Sequence, residues 1–312
     1  ELTLDEIREI VSNRLFKSVE KVSLSGGEPT LRDDLIDIAQ TAVERLPRIK
    51  EIIYLTNGLE PDLIIPKAKE LLMLVRSSGS IKLSMSVSID GCGETHEQIR
   101  RVPDAFERVG ETLRRLKDLQ RTTPFYLGCV CVVQPLNVGN LVQVSDFCQG
   151  LDLPLTLVPV WPGRLFVDSV AASDALRMTG AQLDSLENVL QHEIQERLLP
   201  ANIPFWREYF KITGGEKRKL PCFLLHHYAR LDADGTLGAC YVDSSTEYGS
   251  ALDKPADVLW YSDYAKEKRK KIRAQFCPDC TIYCDLAFAF SHEFFYYAKF
   301  LLKEKSRKLL GK

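Results

Sequence analysis

Five apolar runs dominate the first half of this chain, each closed by a turn of glycine, proline or short polar residues and followed by a helical pattern. The first, Val22-Ser23-Leu24-Ser25, stops at Gly26-Gly27-Glu28-Pro29. The helix predicted after it, from about Leu31 to Leu46, puts Leu35, Ile38, Ala42 and Leu46 on one face and ends at Pro47. The second run covers 51–56 and ends in Thr56-Asn57-Gly58, before a helix over 61–75. The third is the plainest strand: Ile81, Leu83, Met85, Val87 and Ile89 alternate with Lys82, Ser84, Ser86, Ser88 and Asp90, a period of two. A helix over 103–120, a strand over 125–134 ending in Gln-Pro-Leu-Asn, a helix over 141–150 and a strand over 155–160 ending in Trp161-Pro162-Gly163 complete the series. Strands that alternate with helices pair in parallel through right-handed crossovers. The carboxyl ends of such strands share one edge, where active sites sit. The serine ladder of the third strand would face a barrel interior that apolar layers usually fill, so it implies a lumen shaped for a polar ligand.

The remainder is different in character. A helix over 4–16 with Thr3 as its cap opens the chain, and a long helix over 182–199 follows the fifth strand. From about Gly214 the alternation stops. Residues 228–242 read as a hairpin turning on Asp234-Gly235, residues 277–284 as a cysteine knuckle, and 288–310 as a helix with an aromatic start and a basic end. The expected division is 1–213 and 214–312.

Of nine cysteines, five (Cys222, Cys240, Cys277, Cys280, Cys284) fall in the last third. No secretory signal opens the chain, so a cytoplasmic setting without disulfides is expected and metal becomes the leading reason for the cluster. Two thiolates from a hairpin and two from a knuckle suit either zinc or an iron–sulfur cluster, and spacing alone does not choose. Cys92, Cys129, Cys131 and Cys148 lie in or beside predicted core elements and read as small buried hydrophobes. A formal net charge of −2 offers no global basic field for nucleic acid, and no apolar run is long enough to span a bilayer. The basic run 266–273 reads as a solvated helix face, with an anionic partner as the lesser reading, and His226-His227 beside Cys222 as packing or surface residues.

The order Ser25-Gly-Gly-Glu-Pro29, Thr56-Asn-Gly58, Ser88-Ile-Asp-Gly91, then His96 and Ile99-Arg100, resembles the radical S-adenosylmethionine (SAM) enzymes. The spacing Cys222-x12-Gly235-x4-Cys240 followed by Cys277-x2-Cys280 resembles the auxiliary-cluster module of their SPASM/twitch branch. The resemblance implies an α/β fold: a partial (β/α)6 TIM-like barrel lacking its first strand, then a small cysteine-rich α+β twitch/SPASM module. It implies SAM held at Gly26, Gly27 and Glu28 by its ammonium, and at Ser88, Asp90 and Arg100 on its carboxylate and ribose side. An acceptor-lined corner and a guanidinium fork are what a zwitterion needs. It further implies an auxiliary [4Fe–4S] cluster on Cys222, Cys240, Cys277 and Cys280, with Cys284 as alternative ligand. The implied reaction is reductive SAM cleavage and hydrogen abstraction by the 5′-deoxyadenosyl radical from a peptide or small-molecule substrate. An electron donor of the flavodoxin or ferredoxin type would serve it. The family's Cys-x3-Cys-x2-Cys loop is absent, since no cysteine precedes Cys92. With Glu1 in place of an initiator methionine, that loop and the first strand are expected upstream in a parent protein, and this chain alone is expected to be inactive. The rivals are a non-catalytic binding protein with structural zinc and a degenerate barrel that recognises peptides.

Overall fold

Strands β1 (Lys21–Leu24), β2 (Glu51–Thr56), β3 (Lys82–Ser88), β4 (Tyr126–Val133) and β5 (Leu155–Pro159) form one parallel sheet in sequential order. The computed structural model describes residues 1–161, 174–197, 202–219, 222–240 and 246–283, with Ala298 and Leu302. The register aligns Leu24 with Tyr54, Tyr54 with Met85 and Met85 with Leu127, a continuous buried row under the helices. A one-residue slip would turn that row outward, and each fully buried aliphatic side chain is worth roughly 1.5–3 kcal/mol. The apolar alternation therefore fixes the register. On the opposite face Ser86 sits beside Gly128, and Ser88 beside Val130 and then Thr156, a row of small groups with the serines half-buried. The α/β fold with a partial-barrel parallel sheet agrees with the sequence.

Helices α2 (Leu35–Arg45), α3 (Pro61–Ser77), α5 (Ala105–Thr122) and α6 (Leu141–Gly150) cover the sheet, while α1 (Leu4–Val11) packs on α2. Ile64, Ala68 and Leu71 of α3 and Val109, Leu113 and Leu116 of α5 are fully buried. Helix α1 has the expected Thr3 cap, closed into a box by Glu6, but it ends at Val11 rather than continuing to residue 16. Asn13 there accepts from the Leu15 amide and starts a separate 3-10 turn, Arg14–Ser18. Helix α2 starts at Leu35 rather than Leu31, because Glu28 caps a 3-10 turn at Pro29–Leu31 and Arg32 forks onto Asp34. Helix α4 (Glu94–Arg100) is an addition to the elements read from the sequence. The helix predicted over 182–199 is α7 (Gly180–Asn188), followed by a π turn at Val189–Glu193 and a 3-10 turn at Gln195–Arg197.

After α8 (Asn202–Thr213) comes a three-stranded antiparallel sheet of β6 (Arg230–Leu231), β7 (Thr236–Gly238) and β8 (Glu247–Ser250). The predicted hairpin is its first pair, turning at Gly235 with φ 86°. Helix α9 (Leu224–His227) precedes it, and α10 (Ala256–Tyr261) and α11 (Asp263–Gln275) pack against it. The N-terminal segment reaches this second sheet: the Leu2 amide donates to Ala233 O at 2.7 Å, and Asn13 and Arg14 bind Asp257. The predicted helix over 288–310 (Ala298 and Leu302 apart), Pro162-Gly163 and Cys284 lie outside the described residues. No helix among the described residues is long and apolar enough to cross a membrane.

Candidate SAM site and thiol cavity

Parallel order places the ends of β1, β2, β3 and β4 on one edge, and with them Gly26-Gly27, Thr56-Asn57, Ser88-Ile89-Asp90 and the Gln134–Asn137 turn. Gly26 has φ 148°, a conformation side chains disfavour. A Cβ built at Gly27 would meet no protein atom within 4 Å. The fold does not need a glycine at 27, so the bare backbone there serves open space at the strand tips. Gly27→Ala is therefore expected to leave thermal stability unchanged while weakening SAM binding at least tenfold, measured by equilibrium dialysis. A variant that unfolds early or binds SAM normally would refute this use of the corner.

Glu28 is committed elsewhere. Its carboxylate accepts from the Thr30 amide and hydroxyl, from Thr56 Oγ1 at 3.0 Å and from the Asn57 amide at 2.7 Å. Thr30 in turn is bonded to the buried Tyr54 hydroxyl, whose pKa burial pushes up to about 12. Glu28 thus ties the end of β1 to the end of β2.

Asp90, with its side chain 5% exposed, forms an ion pair with Arg100 at 2.7 Å and accepts from the Val132 amide at 2.8 Å. Burial raises its pKa and Arg100 works against that rise. Fully buried His96 accepts the Asp90 amide on Nδ1 at 3.0 Å. Burial, then the charge of Arg100, lowers its pKa to about 4, so the imidazole is neutral and Nε2 carries the proton. His96 Nε2 and Arg100 Nε are buried N–H donors without a partner in the fold. Buried donors are rarely left unmet, and these two lie four residues apart on α4, one turn of the same face. They suit an oxygen-rich ligand. The site also includes Asn137, whose amide donates to Asp90 O at 2.8 Å and Val132 O at 2.9 Å while its oxygen accepts from the Gln134 amide. The Gln-Pro-Leu-Asn turn signals a functional ending without indicating this bracing role.

Across the chain, Cys222, Cys240, Cys277 and Cys280 line one cavity with Leu224, Leu225, Ile272, Phe276 and Arg218. Cys240 follows β7 and its carbonyl is held by Thr246 Oγ1 at 2.7 Å. Cys277 and Cys280 bracket a 3-10 turn just after α11, and Arg218 clips that turn through Cys280 O at 2.9 Å. The Ile282 amide donates to Cys280 Sγ at 3.4 Å. Burial, with Cys222 and Cys280 alongside, pushes the Cys277 thiol up to about 11. Burial raises the Cys280 thiol as well, so this pair gives up its protons most readily to a bound cation. No three of their sulfurs lie within 4.8 Å of one another. Four cysteines from three segments on one cavity suit either a single zinc or an iron–sulfur cluster. The residues fit a four-thiolate iron–sulfur cluster. The other cysteines behave as read from sequence: Cys129, Cys131 and Cys148 are buried and Cys92 half-buried.

Residues 1–132 match the family model described as the radical SAM superfamily. That match places residues 1–132 in the radical SAM superfamily. Membership implies SAM and a [4Fe–4S] cluster. This radical SAM chain is 25% identical over 281 residues to a GTP 3′,8-cyclase of Aquifex aeolicus, spanning 88% of the chain and 82% of that protein. It is 47% identical over 156 residues to a GTP 3′,8-cyclase of Synechococcus elongatus, spanning 50% of the chain and 43% of that protein. An AdoMet-dependent heme synthase of Methanosarcina barkeri is 38% identical over 153 residues, 48% of the chain and 39% of that protein. A solved structure of anSMEcpe with bound AdoMet superposes with a TM-score of 0.59 at 15% identity, covering 97% of this chain and 86% of that one; it shows the shared fold. No Cys-x3-Cys-x2-Cys set for a SAM-cleaving cluster is present at these strand tips, since no cysteine precedes Cys92.

Proposed function

We propose that this radical SAM chain binds SAM across the tips of β1 to β4 and holds an auxiliary [4Fe–4S] cluster in the Cys222, Cys240, Cys277, Cys280 cavity, as a twitch/SPASM-type module does. With a SAM-cleaving cluster, whose Cys-x3-Cys-x2-Cys ligands this sequence lacks, that arrangement would serve hydrogen abstraction from a small molecule or peptide placed between the two. The chain's own share is to bind, orient and shield. The Gly26-Gly27 corner offers carbonyls to the ammonium, and Arg100, steadied by Asp90, offers its fork to the carboxylate. His96 Nε2 and Arg100 Nε offer further donors to ligand oxygens. The names of the sequence relatives, a GTP cyclase and a heme synthase, favour a small molecule over a peptide.

The observation that carries the proposal is the convergence of four thiols, from segments 222, 240 and 277–280, on one cavity. Anaerobic reconstitution with iron and sulfide is expected to give a brown protein absorbing near 400 nm, with about four iron and about four sulfide per chain. A colourless chain that takes up one zinc and refuses iron would replace this reading with that of a zinc-stabilised binding protein.

A further inference from the structure

The serine ladder of β3 has no part in the site described so far. Register sets Ser84, Ser86 and Ser88 on the face of the sheet opposite the helices, at three levels from base to tip. At the base Ser84 donates to Glu51, which pairs with Lys21 at 2.7 Å. At the tip Asp90 pairs with Arg100. Between these two ion pairs the strands present Leu55, Ser86, Ser88, Val130, Thr156 and Val158, all half-buried and none charged. Among the described residues the hydroxyls of Ser86 and Thr156 have no hydrogen-bond partner. Neither hydroxyl is used by the fold, so both are open to a ligand.

The spacing of these groups is that of a small ring. Ser88 and Thr156 flank Val130 in the register, two strand spacings or about 9.6 Å apart. That gap takes one small ring with a hydrogen bond of about 2.8 Å at either side. Ser86 stands one level below, and beside it lies an aromatic face. A Cβ built at Gly128, the register partner of Ser86, would come 2.9 Å from Tyr126 Oη and 3.2 Å from two of its ring carbons. Tyr126 therefore leans along β4 over the bare glycine, and with 46% of the residue exposed its outer side is open.

Hydroxyls set in a half-apolar wall beside one ring, with both flanking charges already paired, suit a neutral ligand that donates and accepts. A phosphorylated ligand would find no free cation between the two ion pairs. A peptide would seek free backbone groups, and those of β2, β3 and β4 are paired with neighbouring strands. We propose that this lumen seats a neutral polyhydroxylated ring, a sugar without phosphate, against Tyr126 with hydrogen bonds to Ser86 and Thr156. The proposal deepens the reading above and rests on it: SAM holds the strand tips, and the sugar is the small molecule beneath.

The test uses the whole chain and two probes, methyl β-D-glucopyranoside and methyl β-D-ribofuranoside, titrated by saturation-transfer NMR. SAM binding is measured first by equilibrium dialysis. Its absence would defeat the proposed function and this proposal with it, whereas SAM binding without sugar binding would overturn this proposal alone. At least one sugar is expected to bind at millimolar concentration or below, equally well with and without saturating SAM. Ser86→Ala and Thr156→Val should each weaken it at least threefold, the loss of one hydrogen bond, with thermal stability and SAM affinity unchanged. Gly128→Ala should weaken it at least tenfold, because the new methyl drives the exposed Tyr126 ring into the lumen. Tyr126→Ala, on an exposed residue that the fold can lose, should weaken it at least threefold. Overturning results would be no saturation by either sugar up to about 20 mM, displacement of the sugar by SAM, or affinity unchanged by Ser86→Ala and Tyr126→Ala. GTP or acetyl-trialanine amide binding more tightly than both sugars, and lost in the same variants, would overturn the neutral sugar in favour of a nucleotide or a peptide.

Discussion

Arg100→Met is expected to cost about 3–5 kcal/mol of folding stability near neutral pH, and much of that loss should disappear on acidification. Asp90 has 5% of its side chain exposed, and the ion pair with Arg100 offsets its desolvation. Without the guanidinium, one amide bond from Val132 would remain to a buried carboxylate. Burial already raises the Asp90 pKa above 3.8 with Arg100 present, and removing the opposing charge raises it further. A carboxylate whose folded pKa lies above its unfolded value binds more protons folded than unfolded. Its contribution is present in full below the unfolded pKa and is lost as pH rises through the folded one. The deficit of the variant should therefore be largest near neutrality and shrink as Asp90 takes its proton. Urea denaturation at about pH 7.5 and about pH 5 would measure it. Adding Asp90→Asn should return most of the deficit at the higher pH and abolish the pH dependence. A loss below about 1 kcal/mol, or one equal at both pH values, would mean that Asp90 is not held as this geometry implies.

What is readable in the residues is local. The period-two pattern of β3 and the four other apolar runs specify the sheet, because each strand's burial is written in its own spacing. Helix α4 escapes such a reading because seven residues carry too little periodicity. Strand β8 escapes it too, since Tyr248 is the one buried residue among its four. At the site, motif order points to Gly27, Asp90 and Arg100, yet their division of labour is not legible there. That Glu28 also binds Thr56 and Asn57 of the next strand, and that Asn137 reaches Asp90, is not written in either motif. Those bonds join segments far apart in sequence, which only the fold brings together. The four thiols of the cavity are readable for the opposite reason: cysteines clustered in one third of a chain need a common cause.

Gly58→Ala should be among the most damaging single-methyl additions in the chain, in contrast to Gly27→Ala. Both glycines follow a strand of the same sheet, and the sequence does not distinguish them. Gly58 has φ 76°, and a Cβ there would come within 2.7 Å of Val87 and 2.8 Å of Val109. Those contacts are with fully buried side chains of β3 and α5, which have nowhere to retreat. The left-handed backbone costs about 1–2 kcal/mol for an alanine, and overpacking adds typically about 1–3 kcal/mol. A loss of about 2–5 kcal/mol in denaturant titration is the expected result. Thr112 Oγ1 also donates to Gly58 O at 2.7 Å, so the backbone cannot rotate to relieve the clash without breaking a buried bond. If alanine at 58 is accepted with less than about 1 kcal/mol of loss, the β2 tip is loosely packed and cannot hold Glu28 and the corner it braces in register for a ligand.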